Sequence, residues 1–134
     1  MRVPHDLVGA LAPGMVARGS GVVVNITSWM AHIGTPNVGM YPATKAALEH
    51  LTQAWAAEFG PRGVRVNAVA PGPVWTPLNP ADKQAEDVAE FGKDSDMGRP
   101  AQPEELSPAY VFLASPVCAS YMSGVILPVM GGPR

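Results

Sequence analysis

Cysteine, charged residues and long apolar runs are all scarce in this sequence. Its 134 residues include one cysteine, Cys118, and three scattered histidines, so an internal disulfide is excluded and no metal-ligand cluster is visible. Charged residues make up 15% of the chain and the formal net charge is −2, which gives no reason to expect a nucleic-acid or anionic-membrane partner. We therefore expect a protein of a reducing, cytoplasmic compartment with neither kind of partner.

No segment approaches the roughly 18 consecutive apolar residues of a membrane span. The mildly apolar stretch 7–17 follows Arg2 and has some likeness to a signal peptide. Asp6 precedes it and Pro13-Gly14 interrupts it, so a surface helix is the better interpretation. A hydrophobic content of 47% is typical of a globular protein, and the length allows a single domain over residues 1–134.

The apolar pattern switches between helical spacing and short β-branched runs, which predicts an α/β fold with a parallel sheet. Residues 22–26 form a continuous apolar run typical of a strand buried on both faces. The predicted elements are helix 5–18, strand 22–26, loop 29–40, helix 41–59, strand 64–70, loop 76–80, helix 81–91, irregular segment 92–102, helix 103–114 and strand 125–129.

A proton-transfer site is predicted from Ser28, Tyr41 and Lys45. Tyr41 and Lys45 lie four residues apart at the start of a predicted helix, so the phenol and the ammonium share one face. An ammonium beside a phenol favours the phenolate, which suits the tyrosine to general acid/base work. Ser28 follows a predicted strand and is a neutral donor that could hold a substrate oxygen. Each residue taken singly has an ordinary structural interpretation, but the combination favours a functional one.

The next strand ends in Pro71-Gly72-Pro73, at the same carboxyl edge of the sheet as Ser28. This turn is either an ordinary strand exit or a place where backbone approaches a ligand. The two loops that would flank a substrate carry Trp29, His32, Trp75 and Met97, which either form an apolar pocket or pack the loops together. We assign Trp29 and Trp75, with Ser28, to substrate binding.

Three motifs occur together in one order: Asn25-Ile26-Thr27-Ser28, Tyr41-x-x-x-Lys45, and Asn67-Ala68-Val69-Ala70-Pro71-Gly72-Pro73-Val74-x-Thr76. With these spacings the chain resembles the short-chain dehydrogenase/reductase family, and segments 73–78 and 97–115 look closest to its glucose/ribitol-type branch. The resemblance implies a Rossmann-type doubly wound parallel sheet and hydride transfer between NAD or NADP and a carbonyl or secondary alcohol.

The resemblance also implies a role for each motif residue. Tyr41 would be the general acid/base, Lys45 would support it and hold the nicotinamide ribose, and Ser28 would orient the substrate oxygen. The segment with Pro71, Gly72, Val74 and Thr76 would pass the nicotinamide side of the cofactor. Tyr41, Lys45 and these four residues are therefore the expected cofactor-binding set.

The resemblance covers only the carboxyl-terminal half of the family's domain. The glycine-rich turn that binds the cofactor pyrophosphate does not occur in the sequence, and Gly9–Gly21 lies in the wrong context for it. We therefore expect a truncated domain that keeps the last three strands, with the first of them exposed at an open edge. A homo-oligomer or a complementing amino-terminal fragment would cover that edge.

Two functions from different classes remain open at this stage. The chain is either the catalytic half of an oxidoreductase, completed by a longer native chain or a second polypeptide, or an inactive fragment whose helices act as an oligomerisation or interaction module. The residues that distinguish NAD from NADP are not in this sequence.

Overall fold

Three parallel strands form the sheet of this chain, in the order β1-β2-β3. The structure is a computed structural model that describes residues 2–82 and 84–132. The strands are β1 (Gly21–Ile26), β2 (Val64–Pro71) and β3 (Ile126–Val129). Gly21 pairs with Val64 at one end of the sheet, and Pro71 pairs with Val129 at the other. The predicted α/β fold with a partial Rossmann-type parallel sheet is confirmed, and all three predicted strands belong to this sheet.

Helices cover both faces of this sheet. The long helices α1 (Arg2–Ala17) and α2 (Met40–Phe59) share a core with Val64 and Val66 of β2. Arg65 lies between those two valines, so its side chain leaves the other face of the strand. There it donates hydrogen bonds to carbonyl groups at the end of α5 (Pro103–Ala114), including that of Leu113 at 2.9 Å. The sheet is therefore a middle layer between α1 and α2 on one side and α5 on the other.

The two ends of the connection from β2 to α5 are hydrogen-bonded to each other. Val74 and Ala101 form an isolated parallel bridge, with hydrogen bonds from Trp75 N to Ala101 O (2.8 Å) and from Ala101 N to Pro73 O (2.9 Å). The residues between them include two short helices, α3 (Leu78–Asp82) and α4 (Ala85–Glu90). This connection is therefore closed at its base while its middle lies outside the sheet.

Three local predictions were wrong. The loop 76–80 contains the start of α3, and the helix expected over 81–91 is replaced by α3 and the separate α4, with Gln84 extended before it. Lys83, within that predicted helix, lies outside the described residues. The loop 29–40 contains a single 3₁₀ turn over Trp29–His32. The first strand is partly exposed because β1 lies at an edge of the sheet, which agrees with the open edge expected for it, although its apolar run alone is typical of a strand buried on both faces.

Across the described residues, no helix has both the length and the apolar character needed to cross a membrane.

Candidate active site

Ser28 lies just beyond β1, where the chain turns into the 3₁₀ turn Trp29–His32. Its extended backbone and its hydroxyl cap that turn, because the Oγ accepts a hydrogen bond from the backbone N of Met30 (3.2 Å). Its carbonyl also accepts from Ala31 N at 2.9 Å. Ser28 is buried, so the strand end and the turn together hold its hydroxyl in one place.

Tyr41 and Lys45 lie one turn apart in the first half of α2, as their spacing predicted. The Lys45 Nζ is 5.7 Å from the centre of the Tyr41 ring and donates a 2.9 Å hydrogen bond to the carbonyl of Ile26, the last residue of β1. Tyr41 is 49% exposed. Lys45 therefore ties the tyrosine's helix to the strand that carries Ser28.

Gly72 lies where β2 and β3 end side by side. Its N–H donates to Val129 O at 2.9 Å, and a Cβ built on it would lie 2.7 Å from the Cα of Met130. Real Cβ atoms do not approach backbone so closely, so this position requires glycine. The glycine lets two strand ends meet beside the site.

One cleft of about 1030 Å³ brings most of the predicted site residues together. Its walls include Ser28, Trp29, Tyr41, Pro71, Gly72 and Val74. Three other predicted residues are not among the residues that line it: Lys45, Trp75 and Thr76. Lys45 lies next to Tyr41, with its Nζ 5.7 Å from the centre of the ring. The N–H and the hydroxyl of Thr76 both donate hydrogen bonds to the side-chain oxygen of Asn79.

Sequence reasoning missed an acidic wall of this cleft. Asp87, Glu90 and Asp94 line it, and none of the described lining residues is lysine, arginine or histidine. Glu90 forms a salt bridge with Lys93 at 2.7 Å, but no partner for Asp87 or Asp94 is found among the described residues. The run of acids over 86–96 was the available signal, although nothing in it showed that these residues line the same cleft as Ser28 and Tyr41.

A buried carboxylate lies beside the site on the same helix. Glu49 follows Lys45 by one turn, and its Oε2 is 3.1 Å from the Nε2 of His32. The imidazole of His32 packs against Trp29, with 4.9 Å between ring centres. The Glu49 Oε1 is buried and has no hydrogen-bond partner among the described residues. His32 thus takes part in a contact between α2 and the 3₁₀ turn.

A surface ion pair holds the far end of the β2–α5 connection. The two terminal guanidinium nitrogens of Arg99 each donate to an oxygen of the Glu105 carboxylate at 2.8 Å, and Glu105 also accepts from the backbone N of Gln102, at the start of α5. The Arg99 hydrogen bond, followed by that from Gln102, lowers the pKa of Glu105 to about 2. The same carboxylate raises the pKa of Arg99. The pair fixes where the connection enters α5.

No group of three or more potential metal ligands occurs among residues 2–82 and 84–132. The functional groups that converge on the cleft are hydroxyl, phenol and carboxylate groups, with one ammonium behind them. Such a set can hold a polar substrate and exchange a proton with it.

A family profile and individual relatives both match most of this chain. The profile of the family described as "Enoyl-(Acyl carrier protein) reductase" matches residues 2–133. Glucose and ribitol dehydrogenase homolog 2 of Arabidopsis thaliana is 47% identical over 110 residues, which are 82% of this chain and 38% of the relative.

Solved structures give the same result. A "short chain dehydrogenase/reductase family protein" is 49% identical, with a TM-score of 0.87, and the match covers 98% of this chain and 53% of that one. A gluconate 5-dehydrogenase from Burkholderia cenocepacia, in complex with NADP and tartrate, is 36% identical with a TM-score of 0.83. That match covers 92% of this chain and 49% of the other. The chain therefore spans less than half of the curated relative and about half of these structures.

Proposed function

The chain belongs to the short-chain dehydrogenase/reductase family, in its glucose/ribitol-type branch, and on that premise we propose that it supplies the catalytic half of an NAD(P)-dependent oxidoreductase. The reaction is hydride transfer between the nicotinamide and a carbonyl or secondary alcohol. The observation that carries the proposal is that Ser28 and Tyr41 line one cleft, with Lys45 one helical turn from the phenol.

In this reaction Tyr41 gives a proton to the carbonyl oxygen or takes one from the alcohol. Its exposed phenol can reach a ligand in the cleft, which is the first requirement of a general acid/base. Ser28 holds the substrate oxygen, and its hydroxyl can donate while it accepts from Met30 N. Trp29 forms an apolar wall beside it. Trp75 and Thr76 contribute from the loop after β2 in this proposal.

The nicotinamide cofactor, NAD or NADP, supplies the hydride when it is bound. The cleft has room for a nicotinamide and a small substrate, and Lys45 retains donor capacity for a ribose hydroxyl because an ammonium has three N–H groups and Ile26 O accepts one. Tyr41 and Lys45 would hold the ribose, and the backbone at Pro71, Gly72 and Val74 would pass the nicotinamide.

In this proposal residues 1–134 are the carboxyl-terminal half of one domain. Within the described part of the chain, nothing pairs with the side of β1 that faces away from β2. Such an edge carries free N–H and C=O groups that pair readily with a further strand. Strands from an amino-terminal half, in the same polypeptide or a second one, cover it and bring the dinucleotide site. The setting is the cytoplasm, in keeping with the unpaired Cys118.

The substrate is a small neutral polyol or its carbonyl counterpart. Asp87 and Asp94 of the acidic wall, with no cation among the described lining residues, repel carboxylates and phosphates from the cleft, while Glu90 is paired with Lys93. Hydroxyl groups, by contrast, can donate hydrogen bonds to carboxylate oxygens. The charge of the cleft wall therefore favours a neutral polyol over an anionic compound such as a sugar acid.

The test is hydride transfer itself. The 134-residue chain is assayed, alone and mixed with the amino-terminal half of a close relative, for NADH or NADPH formation from polyols. Wild type should show turnover once the dinucleotide half is present, and the matched Tyr41→Phe variant should not. Equal turnover in both would overturn the proposal. A preceding titration of NADH and NADPH, with size measured by light scattering, shows whether the chain alone binds a cofactor.

A second function is favoured by a different observation. Val3, Leu7 and Leu11 of α1 are exposed at 75%, 56% and 52%, and their spacing of four places them on one face of the helix. This uncovered apolar stripe suits an oligomerisation or interaction module. If that were the whole function, Tyr41→Phe would leave every property unchanged while Leu7→Glu would alter the size of the particle in solution.

A further inference from the structure

We propose that Glu49 is a positioning residue, which acts through His32 to hold Ser28 and Trp29 in place against Tyr41. The proposal rests on the function assigned above, because it concerns the geometry of the same cleft. It uses a buried carboxylate and a histidine that the proposed reaction does not otherwise need.

The helix that carries Tyr41 contacts the Ser28 segment at two points. Lys45 donates to the carbonyl of Ile26, two residues before Ser28, at 2.9 Å. Glu49 lies 3.1 Å from His32, four residues after Ser28. Tyr41, Lys45 and Glu49 follow each other at intervals of four and therefore lie along one face of α2. Ser28 is thus bracketed by two contacts from the helix that bears the tyrosine.

The second contact also controls Trp29. The 3₁₀ turn has only four residues, Trp29–His32, and the rings of its first and last residues pack 4.9 Å apart at an angle of 35°. A constraint on His32 therefore reaches Trp29 through ring packing and Ser28 through the capped turn. Both of those residues line the cleft.

Glu49 is badly placed if its role is only to stabilise the fold. Its side chain is 10% exposed, and one of its two oxygens is buried without a partner among the described residues. A buried carboxylate with one oxygen left without a hydrogen-bond partner carries an uncompensated cost of desolvation. Its presence is explained by the contact that it makes with His32.

The test is hydrogen exchange of the 134-residue chain, which needs no turnover and no cofactor. Three amides report on the Ser28 segment: Met30, Ala31 and Ile33, which donate to Ser28 Oγ, Ser28 O and Met30 O respectively. In Glu49→Met, which keeps the volume and removes the carboxylate, these amides should exchange about threefold to tenfold faster. Exchange in β2 and in the rest of α2 should stay as in wild type.

Two further variants complete the design. Glu49→Gln retains an oxygen that can face His32 and should restore most of the protection. Glu58→Gln is the matched control, because Glu58 also lies on α2 and pairs with a neighbour, Arg62, but is exposed and far along the helix. It should leave the Ser28 segment unchanged.

Faster exchange confined to residues 28–33 supports a positioning role. Faster exchange throughout α2 and the sheet, or no change at residues 28–33, overturns it. If Glu49→Met fails to fold, Glu49→Gln decides: a smaller but still local increase supports the proposal, and a global one contradicts it. Absence of hydride transfer would count against the proposed function and would leave these exchange results unaffected.

Discussion

The acidic wall of the cleft should rank ligands by their charge. Three six-carbon polyols that differ only at the first carbon provide the probe: glucitol is neutral, gluconate carries a negative charge and 1-amino-1-deoxyglucitol carries a positive one. The cleft volume of about 1030 Å³ corresponds to roughly 10 Å in each direction, so a bound ligand's charge lies on the order of 7 Å from Asp87 and Asp94.

We treat the two carboxylates as charges at that distance in a medium with the dielectric constant of water. At 0.15 M salt, aminoglucitol should then bind about fivefold more tightly than gluconate. At 0.01 M salt the screening length is longer, and the ratio rises to about 25-fold. Glu90 is left out of this calculation because Lys93 neutralises it. The expected order is therefore aminoglucitol, then glucitol, then gluconate, and it should steepen as salt is removed.

Ligand-observed NMR titration measures these weak affinities in the 134-residue chain. In the double variant Asp87→Asn/Asp94→Asn the three ligands should bind with nearly equal affinity. The double variant Glu86→Gln/Glu104→Gln is the matched control, since it removes the same net charge from residues that do not line the cleft. Tightest binding of gluconate, or an order that is unaffected by salt and by the Asp87/Asp94 substitutions, would refute the reasoning.

Three other predictions follow from single contacts. Tyr41→Phe should lower turnover at least about a hundredfold in an assay of the completed domain while leaving the melting temperature unchanged, because the substitution removes only the hydroxyl of a half-exposed side chain; a small loss would argue against general acid/base work. Glu105 has a pKa lowered to about 2 by Arg99, so its contribution to stability is present above about pH 4.5 and is lost as pH falls towards 2. Circular dichroism during acid titration should show Glu105→Gln less sensitive than wild type across that window, and parallel curves would contradict this. Gly72→Ala should destabilise the chain by about 1–3 kcal/mol, because the new methyl group meets the backbone of Met130; denaturant unfolding with an unchanged midpoint would show that the strand ends can separate.

The order of the main elements could be predicted because each has a strong local signal. The helix α5 was predicted with its observed bounds, since Pro103 and two acids mark its first turn. The position of Ser28 and Gly72 at one cleft also followed from a parallel topology, in which strand ends meet at one edge, whereas Tyr41 was assigned from its spacing to Lys45 and from the family resemblance.

The rest depended on side-chain contacts that a single sequence does not show. Pro77 and Pro80 suggested a loop over 76–80, but the side chain of Asn79 accepts from Thr76 N at 2.8 Å and helps the chain to enter α3. The contact between His32 and Glu49 has no signature in a single sequence, because residues 17 positions apart are brought together only by the turn after β1. The acidic wall was missed for the same reason.

The isolated bridge between Val74 and Ala101 separates the segment that would determine ligand specificity from the residues proposed to carry out the reaction. Ser28, Tyr41 and Lys45 all precede this bridge, whereas Asp87, Glu90 and Asp94 lie inside the connection that it closes. Because the two ends of that connection are held together by their own hydrogen bonds, its interior can change in length and composition at small entropic cost. Exchange of residues 77–99 between relatives should thus transfer ligand preference as one unit and leave the positions of the proposed proton-transfer residues unchanged.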